Sequence, residues 1–542
     1  MSFNLTNAEI VLINPPGTFI KDAKLVIHHG IPPIGLAYIA GAFKKAGLNY
    51  KLVDCLGEDI NRFRKLPENE KVLIRGLTFE QIITRMPSAP KYFCIGTNYS
   101  SDWYFTTQFI KRLKKVYPKS VVILGGENPT AYWDKILKYE NDVDFCIIGE
   151  GDETIINLLS ALKDETCDIS SIKGIAFRNK NAEVVKNERP GRLKNLEDFF
   201  PDWEQFPVEN YLKNKMAVRN YGRRTMPMIA SRGCPYQCTF CNSKNKWGTL
   251  QVVRNPDEII AEMRFLKERY KIEHICLVDL ASTANGKWFI EFCKKMIDSG
   301  LNLTWEMSSG TRSELLSYEN LKLVKKAKNI HLSLSPESGS KRILKLIQKE
   351  LDPDHIEKVV GNCAKVGIRS KANFVVGLQS QTISEINETY LAALRFAWRG
   401  ADDIAIYSYV PFPGTEMHNR LIASGVIKID TREEYEAYNM QLSTYSFVAV
   451  NKSHVQKKYP IHILNGLVML ACFFISMIRK PYRIPQFFWN VSTRNAIGVF
   501  EIAAYNSIMW PFFLLKTKIK DFKENTEKKP ILKKLIPIKQ AT

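Results

Sequence analysis

The sequence predicts an α/β protein made of two successive parallel sheets followed by a helical C-terminal region. Three observations predict it. Residues 8–165 alternate short apolar runs with helical patterns, residues 225–410 start a second series of the same kind, and residues 451–542 replace the alternation with long apolar and aromatic stretches. Alternating strand and helix implies parallel sheet, because each helix carries the chain back to start the next strand in the same direction. A chain of 542 residues is also too long for one core. The expected units are 8–165, a connector at 166–220, 221–450 and 451–542.

In the first series, Ile10–Ile13 reads as a buried strand. Leu36, Ile39, Ala40, Phe43 and Ala46 then repeat at helical spacing within Pro33–Gly47, and Gly47 stops that helix. Strands follow at Tyr50–Val53, Tyr92–Ile95, Val121–Leu124 and Phe145–Ile148, with a helix around Asp102–Val116. Such a series predicts a doubly wound sheet, which binds ligands at the carboxyl ends of its strands. The turns there are Asn14-Pro15-Pro16-Gly17, Gly96-Thr97-Asn98, Gly125-Gly126 and Gly149-Glu150-Gly151. Their small residues would let a large flat ligand approach the backbone.

The connector holds one expected strand, Ile172–Phe177, then a polar stretch and a Pro190-Gly191 turn. The second series offers six strands: Met228–Ser231, His274–Val278, Leu303–Met307, Ile330–Leu334, Arg369–Val376 and Ile404–Tyr407. Six strand–helix units fit a partial (β/α)6 TIM-type barrel, whose site lies at the carboxyl ends of the strands.

The segment Met228–Ser243 reads MIASRGCPYQCTFCNS, placing Cys234, Cys238 and Cys241 at Cys-x3-Cys-x2-Cys spacing. Three thiolates this close on one loop suit an iron–sulfur cluster. Three ligands leave one iron without a protein partner, an open position of the kind catalytic metals keep. A zinc knuckle is the competing reading. It would want a fourth Cys or His nearby, and none lies between Asn242 and Lys271.

This spacing and its flanks, Arg232-Gly233-Cys234-Pro235 and Thr239-Phe240-Cys241, resemble the radical S-adenosylmethionine (SAM) superfamily. The likeness continues in Ser335–Ser340 (SPESGS), Asn373–Gln381 (NFVVGLQSQ) and Pro411–Thr415 (PFPGT). It implies a [4Fe–4S] cluster on the three cysteines, with SAM bound to the open iron and cleaved to methionine and a 5′-deoxyadenosyl radical. Phe240 would lie near the adenine, and Glu337 would contact the SAM amino or ribose group. The plainer alternative for Glu337 is a carboxylate at a helix N-terminus. Asp279 ends the second strand where related proteins often carry an acidic pair. Here Leu280-Ala281 follow it.

The first unit resembles the cobalamin-binding domain fused to many radical SAM enzymes. The segments that carry the likeness are Val11–Pro16 (VLINPP), Pro32–Ala37 (PPIGLA), Leu124–Gly126 with Asn128-Pro129-Thr130, and Ile148–Glu153 (IGEGDE). It implies cobalamin contacts from Pro33, Thr97, Asn98, Gly125, Gly126, Glu150 and Gly151. The DxHxxG motif that supplies a cobalt-ligating histidine in cobalamin mutases is missing, since His28 and His29 stand outside any such pattern. Gly96–Ser100 would therefore face the lower side of the cobalt. A methylthiotransferase-like second cluster on Cys55, Cys94 and Cys146 is the rival reading. Cys94 and Cys146 sit inside apolar strand patterns, where cysteine behaves as a small hydrophobe.

The resemblance implies an enzyme that methylates an unactivated carbon of a hydrophobic lipid or tetrapyrrole substrate. Oxidative ring formation on the same cofactors and a non-catalytic cobalamin sensor are the alternatives. A one-electron donor such as flavodoxin or ferredoxin is expected. Eleven scattered cysteines and no basic-then-apolar start point to a reducing cytoplasm.

Of a formal net charge of +21, +12 falls in 451–542, where 16 Lys and Arg face 4 Asp and Glu. These basic residues flank apolar runs (Ile463–Ile478 and Phe487–Leu515) rather than forming a polar aromatic groove, so nucleic acid is not expected. An interfacial helix pair at the inner face of an anionic membrane is the favoured reading. A helical subdomain packed on the second unit is the other.

Overall fold

The computed structural model describes residues 7–508 apart from 21–29, 67–68, 165–166, 216–221, 350, 444–458, 494, 496–497, 499 and 506. His28, His29 and the tail beyond Lys516 lie outside the described residues.

The first sheet has seven strands. From edge to edge they are Val184–Lys186, Ile175–Arg178, Phe145–Ile147, Val121–Gly125, Tyr92–Gly96, Ile10–Asn14 and Tyr50–Asp54. The last five are mutually parallel, and the first two join antiparallel. Their cores, such as Val11, Ile13, Phe93, Ile95 and Val122, are fully buried because helices cover both faces. The strands at 175–178 and 184–186, in the segment read as connector, complete this sheet. A three-stranded antiparallel sheet of Gly17–Ile20, Asn69–Arg75 and Phe63–Leu66 is added beside it.

The second sheet has six strands, all parallel and in sequence order: Thr225–Met228, His274–Leu277, Thr304–Thr311, Asn329–Glu337, Arg369–Val376 and Asp403–Ser408. Helices such as Pro256–Tyr270, Pro353–Val366 and Ile383–Arg399 return the chain between them. Local signals fix their ends. Asp352 and Thr382 cap the N-termini of the last two, and left-handed Gly367 and Gly400 close their C-termini. The first strand ends at Met228, earlier than the expected Ser231. The backbone turns there, and Ser231-Arg232 pairs instead with Val252-Val253.

Two segments cross the expected boundaries. The Arg432–Ser443 helix packs on the first unit, where Trp103 Nε1 donates to Tyr435 Oη at 2.5 Å. The Ile461–Arg479 helix lies along the Ile383–Arg399 helix and the last strand of the second sheet. The packed-subdomain reading of that region therefore holds for one face of this helix.

Candidate active site

The cysteine loop leaves the carboxyl end of the first strand of the second sheet. Asp279, at the tip of the neighbouring strand, fixes its start. Its buried carboxylate accepts from Ala230 N at 3.0 Å and also from Ser231 N. Burial pushes that carboxyl up to about 6, with those hydrogen bonds opposing. Sequence reasoning noted Asp279 but found it no task; its task is to hold the entry to the loop. Gly233 follows with φ +93, and a Cβ there would stand 2.3 Å from Leu250 O, so only glycine fits.

Cys234, Cys238 and Cys241 are half-buried free thiols. Cys241 N donates to Cys238 O at 3.1 Å, Thr239 N to Ile347 O at 3.1 Å, and Met417 N to Thr239 O at 3.1 Å. The loop is thus tied to segments that follow the fourth and sixth strands. Burial raises the Cys234 thiol and pushes Cys238 up to about 11, with Lys349 opposing in both cases.

Among the described residues, no three His, Cys, Asp or Glu side chains gather tightly enough to hold one metal ion. The three thiols are spread along one half-buried loop. Such spacing fits a cluster that takes each thiolate on a different iron better than a single tetrahedral zinc. Cys94 and Cys146 are buried in the first sheet, and Cys55 is buried at the end of its edge strand. Burial raises all three thiols.

Glu337 ends the fourth strand with φ +62, a strained conformation for a non-glycine residue. Its Oε1 accepts from buried Lys349 Nζ at 2.8 Å. Burial works against the Lys349 ammonium, but Glu337 and Cys238 more than offset it and raise it above the ordinary value. Ser340 caps the Lys341–Leu346 helix through Ile343 N, so Glu337 is not that helix's terminal carboxylate. Arg312 lies over the Tyr236 ring at 3.7 Å and adds a second cation beside Cys234. No sequence pattern pointed to Lys349 or Arg312. Phe240 is half-buried against the core beneath the loop.

The segments flanking this loop touch the first unit: Arg232 binds Asp152, and the Ser243–Trp247 helix lies against the Glu127–Tyr139 helix. A Cβ at Gly125 would meet nothing within 4 Å, so that tip opens onto free space. Gly126, φ +118, closes on Thr97 and Asn98, with its Cβ position 2.5 Å from Thr97 O. Thr97 N donates to Gly125 O at 2.8 Å, which locks the two tips together. Pro33 starts the Ile34–Lys45 helix, and Gly151 precedes the Asp152–Lys163 helix. Small, rigid, open tips of this kind fit a broad flat ligand such as cobalamin. Glu150 sits at the same end of the sheet. Its buried carboxylate pairs with Arg192 at 2.6 Å and Arg232 at 3.3 Å.

Arg232 joins the two halves. Two residues before Cys234, it binds Asp152 through Nη1 at 2.8 Å and Nη2 at 3.0 Å, and it lies 4.5 Å from the Tyr38 ring centroid. Gly414, in the Pro411–Thr415 loop, comes so close to Ala131 of the first unit that a Cβ would stand 2.9 Å from its Cβ. The carboxyl ends of the two sheets therefore meet tip to tip.

Comparison with known proteins agrees with this geometry. The model of the radical SAM superfamily matches residues 228–393, and that of the B12 binding domain matches residues 20–159. An anaerobic magnesium-protoporphyrin IX monomethyl ester cyclase from Cereibacter sphaeroides is 28% identical over 77% of this chain, which covers 63% of that relative's length. The cyclase of the same name from Rubrivivax gelatinosus is 26% identical, covering 86% of this chain and 83% of its own. A cytidylyl-2-hydroxyethylphosphonate methyltransferase from Streptomyces wedmorensis is 24% identical, covering 77% and 82% respectively. The radical SAM methyltransferase TsrM from Kitasatospora setae, solved with cobalamin and a [4Fe–4S] cluster, shares the fold with a TM-score of 0.59. It is 14% identical and aligns over 78% of this chain and 79% of its own. The chain thus carries a radical SAM domain and a B12-binding domain, and together these imply a [4Fe–4S] cluster, SAM and cobalamin as its cofactors.

Proposed function

We propose that this enzyme methylates an unactivated carbon of a hydrophobic substrate of the lipid or tetrapyrrole class. One observation carries the reading: Arg232, two residues before the three-thiol loop, is bound by Asp152, which directly follows the Gly149–Gly151 tip of the first sheet. When bound, the three cofactors supply homolytic cleavage of a sulfonium and a transferable methyl group. The chain's own residues then hold and orient. Cys234, Cys238 and Cys241 would ligate the cluster. Pro33, Thr97, Asn98, Gly125, Gly126, Glu150 and Gly151 would seat the cobalamin. Glu337, with Lys349 behind it, and Phe240 would seat the SAM. A flavodoxin or ferredoxin would bring the electron. The hydrophobic substrate would come to a cytoplasmic enzyme resting against the inner face of a membrane.

Oxidative ring formation is the second reading, favoured by the two cyclases among the relatives. SAM with a deuterated methyl group, fed to the reconstituted enzyme with lipid and pigment extracts, separates the two. Methylation predicts a product that carries the whole labelled methyl group and is missing when Cys238→Ala protein is used. A product free of label, formed while SAM is consumed, would replace methylation with cyclisation.

A further inference from the structure

The Ile461–Arg479 helix has two apolar faces with opposite fates. One is fastened to the second sheet. Asn465 Oδ1 accepts from Tyr390 Oη at 2.8 Å, Ser476 Oγ donates to Ala401 O at 3.2 Å, and Met469 Sδ accepts from Ile406 N at 3.3 Å. That last contact covers the open edge of the sheet, since Asp403–Ser408 is its outermost strand. Just beyond the helix, Lys480 Nζ pairs with Asp402 at 2.7 Å, and Arg483 Nη1 donates to Asp402 O at 2.6 Å.

The other face is bare. Ile463, Leu467, Leu470, Phe474 and Ile478 follow one another at helical spacing, and Ile478 is 70% exposed. The patch continues past the turn through Tyr482 and onto Phe488 and Trp489, both more than 60% exposed. It also reaches the neighbouring helix at Trp398, whose ring is covered by Arg479 at 5.4 Å. An apolar ridge of this length is far more than scattered surface hydrophobes. Its exposed aromatic residues next to arginine have the composition of a membrane–water interface.

By length and composition this helix could cross a membrane, as its 19 residues rise about 28 Å. Crossing would strip Asn465, Ser476 and the sheet edge of their partners inside hydrocarbon, at several kcal/mol for each orphaned group. The fastened face forbids it.

We infer that the Ile461–Arg479 and Arg483–Thr493 helices lie flat on an anionic bilayer, burying the Ile463–Ile478 stripe with Phe488 and Trp489 among the acyl chains. Charge selects the occupant, because exposed Arg479 borders the stripe beside Trp398 and the amino-acid sequence of 451–542 has 16 Lys and Arg against 4 Asp and Glu. This surface stands independently of the reaction proposed above, and its test reads no activity.

The test is co-sedimentation of the full-length, cofactor-loaded protein with phosphatidylcholine vesicles with and without about one-third phosphatidylglycerol. The expected result is binding to anionic vesicles that is at least about tenfold tighter than to neutral ones and weakens with salt. Phe474→Glu/Ile478→Glu should lose at least about tenfold, whereas Phe265→Glu, an exposed residue on a distant helix, should lose nothing. Because the variant could be misfolded, tryptophan quenching of the unaltered protein by brominated acyl chains provides an independent readout and should be strong. Alkaline carbonate should release the bound protein. Retention through carbonate would mean a spanning helix and overturn the proposal. So would indifference of the unaltered protein to anionic vesicles, or a dimer that ignores vesicles and that the double glutamate variant dissociates.

Discussion

Replacing Cys238 with alanine should abolish the cluster while leaving the fold in place. The thiol is half-buried on a surface loop that the backbone bonds of Thr239 and Cys241 hold in shape without it. Removing it deletes one of three proposed ligands. Even outer partners of metal ligands are worth roughly 10–100-fold in metal affinity, so iron and sulfide per chain should fall at least about tenfold after anaerobic reconstitution. The thermal unfolding of the apo-protein should be nearly unchanged. Full iron content in Cys238→Ala would remove this residue from the ligand set.

The second large effect should come from Arg232→Ala. Its side chain is 5% exposed, and it pairs with Asp152 and Glu150, whose side chains are 6% and 7% exposed. Deleting the guanidinium leaves two carboxylates buried at the junction of the two sheets, with Arg192 still holding one of them. Breaking a buried pair by removing one partner costs about 3–5 kcal/mol. The denaturant midpoint should fall accordingly, with little change in slope. Arg232→Lys should recover part of the loss, because charge returns but two-pronged binding to Asp152 does not. A loss of under about 1 kcal/mol in Arg232→Ala would show that the junction does not depend on this pair.

Most parallel strands of the two large sheets were legible because a buried parallel strand is a short apolar run between turn residues, as at His274–Leu277 and Tyr92–Gly96. The small antiparallel sheet was not. Phe63–Leu66 reads FRKL and Asn69–Arg75 reads NEKVLIR, too charged and too irregular to stand out as strands. The strand at 175–178 was expected, at Ile172–Phe177, but its place in the sheet and its partner at 184–186 were not. They add to a sheet whose nearest strand ends at Ile147, and no local pattern reveals which sheet a distant segment will join.

The site divides in the same way. Cysteine spacing and glycine tips are local signals, and they named the loop and the strand ends that the fold brings together. Ion pairs are not local. Arg232 and Asp152 are 80 residues apart, and Lys349 lies 12 residues from Glu337 in a segment with no distinguishing pattern. The arginines that pair with Glu150 likewise come from two other segments of the chain.

Electron paramagnetic resonance of the reduced, reconstituted protein tests the central claim most directly, with spectra recorded before and after SAM is added. One iron lacking a protein ligand predicts that SAM changes the cluster signal, and that Cys238→Ala protein has no such signal to change. Identical spectra with and without SAM would contradict an open iron in this loop.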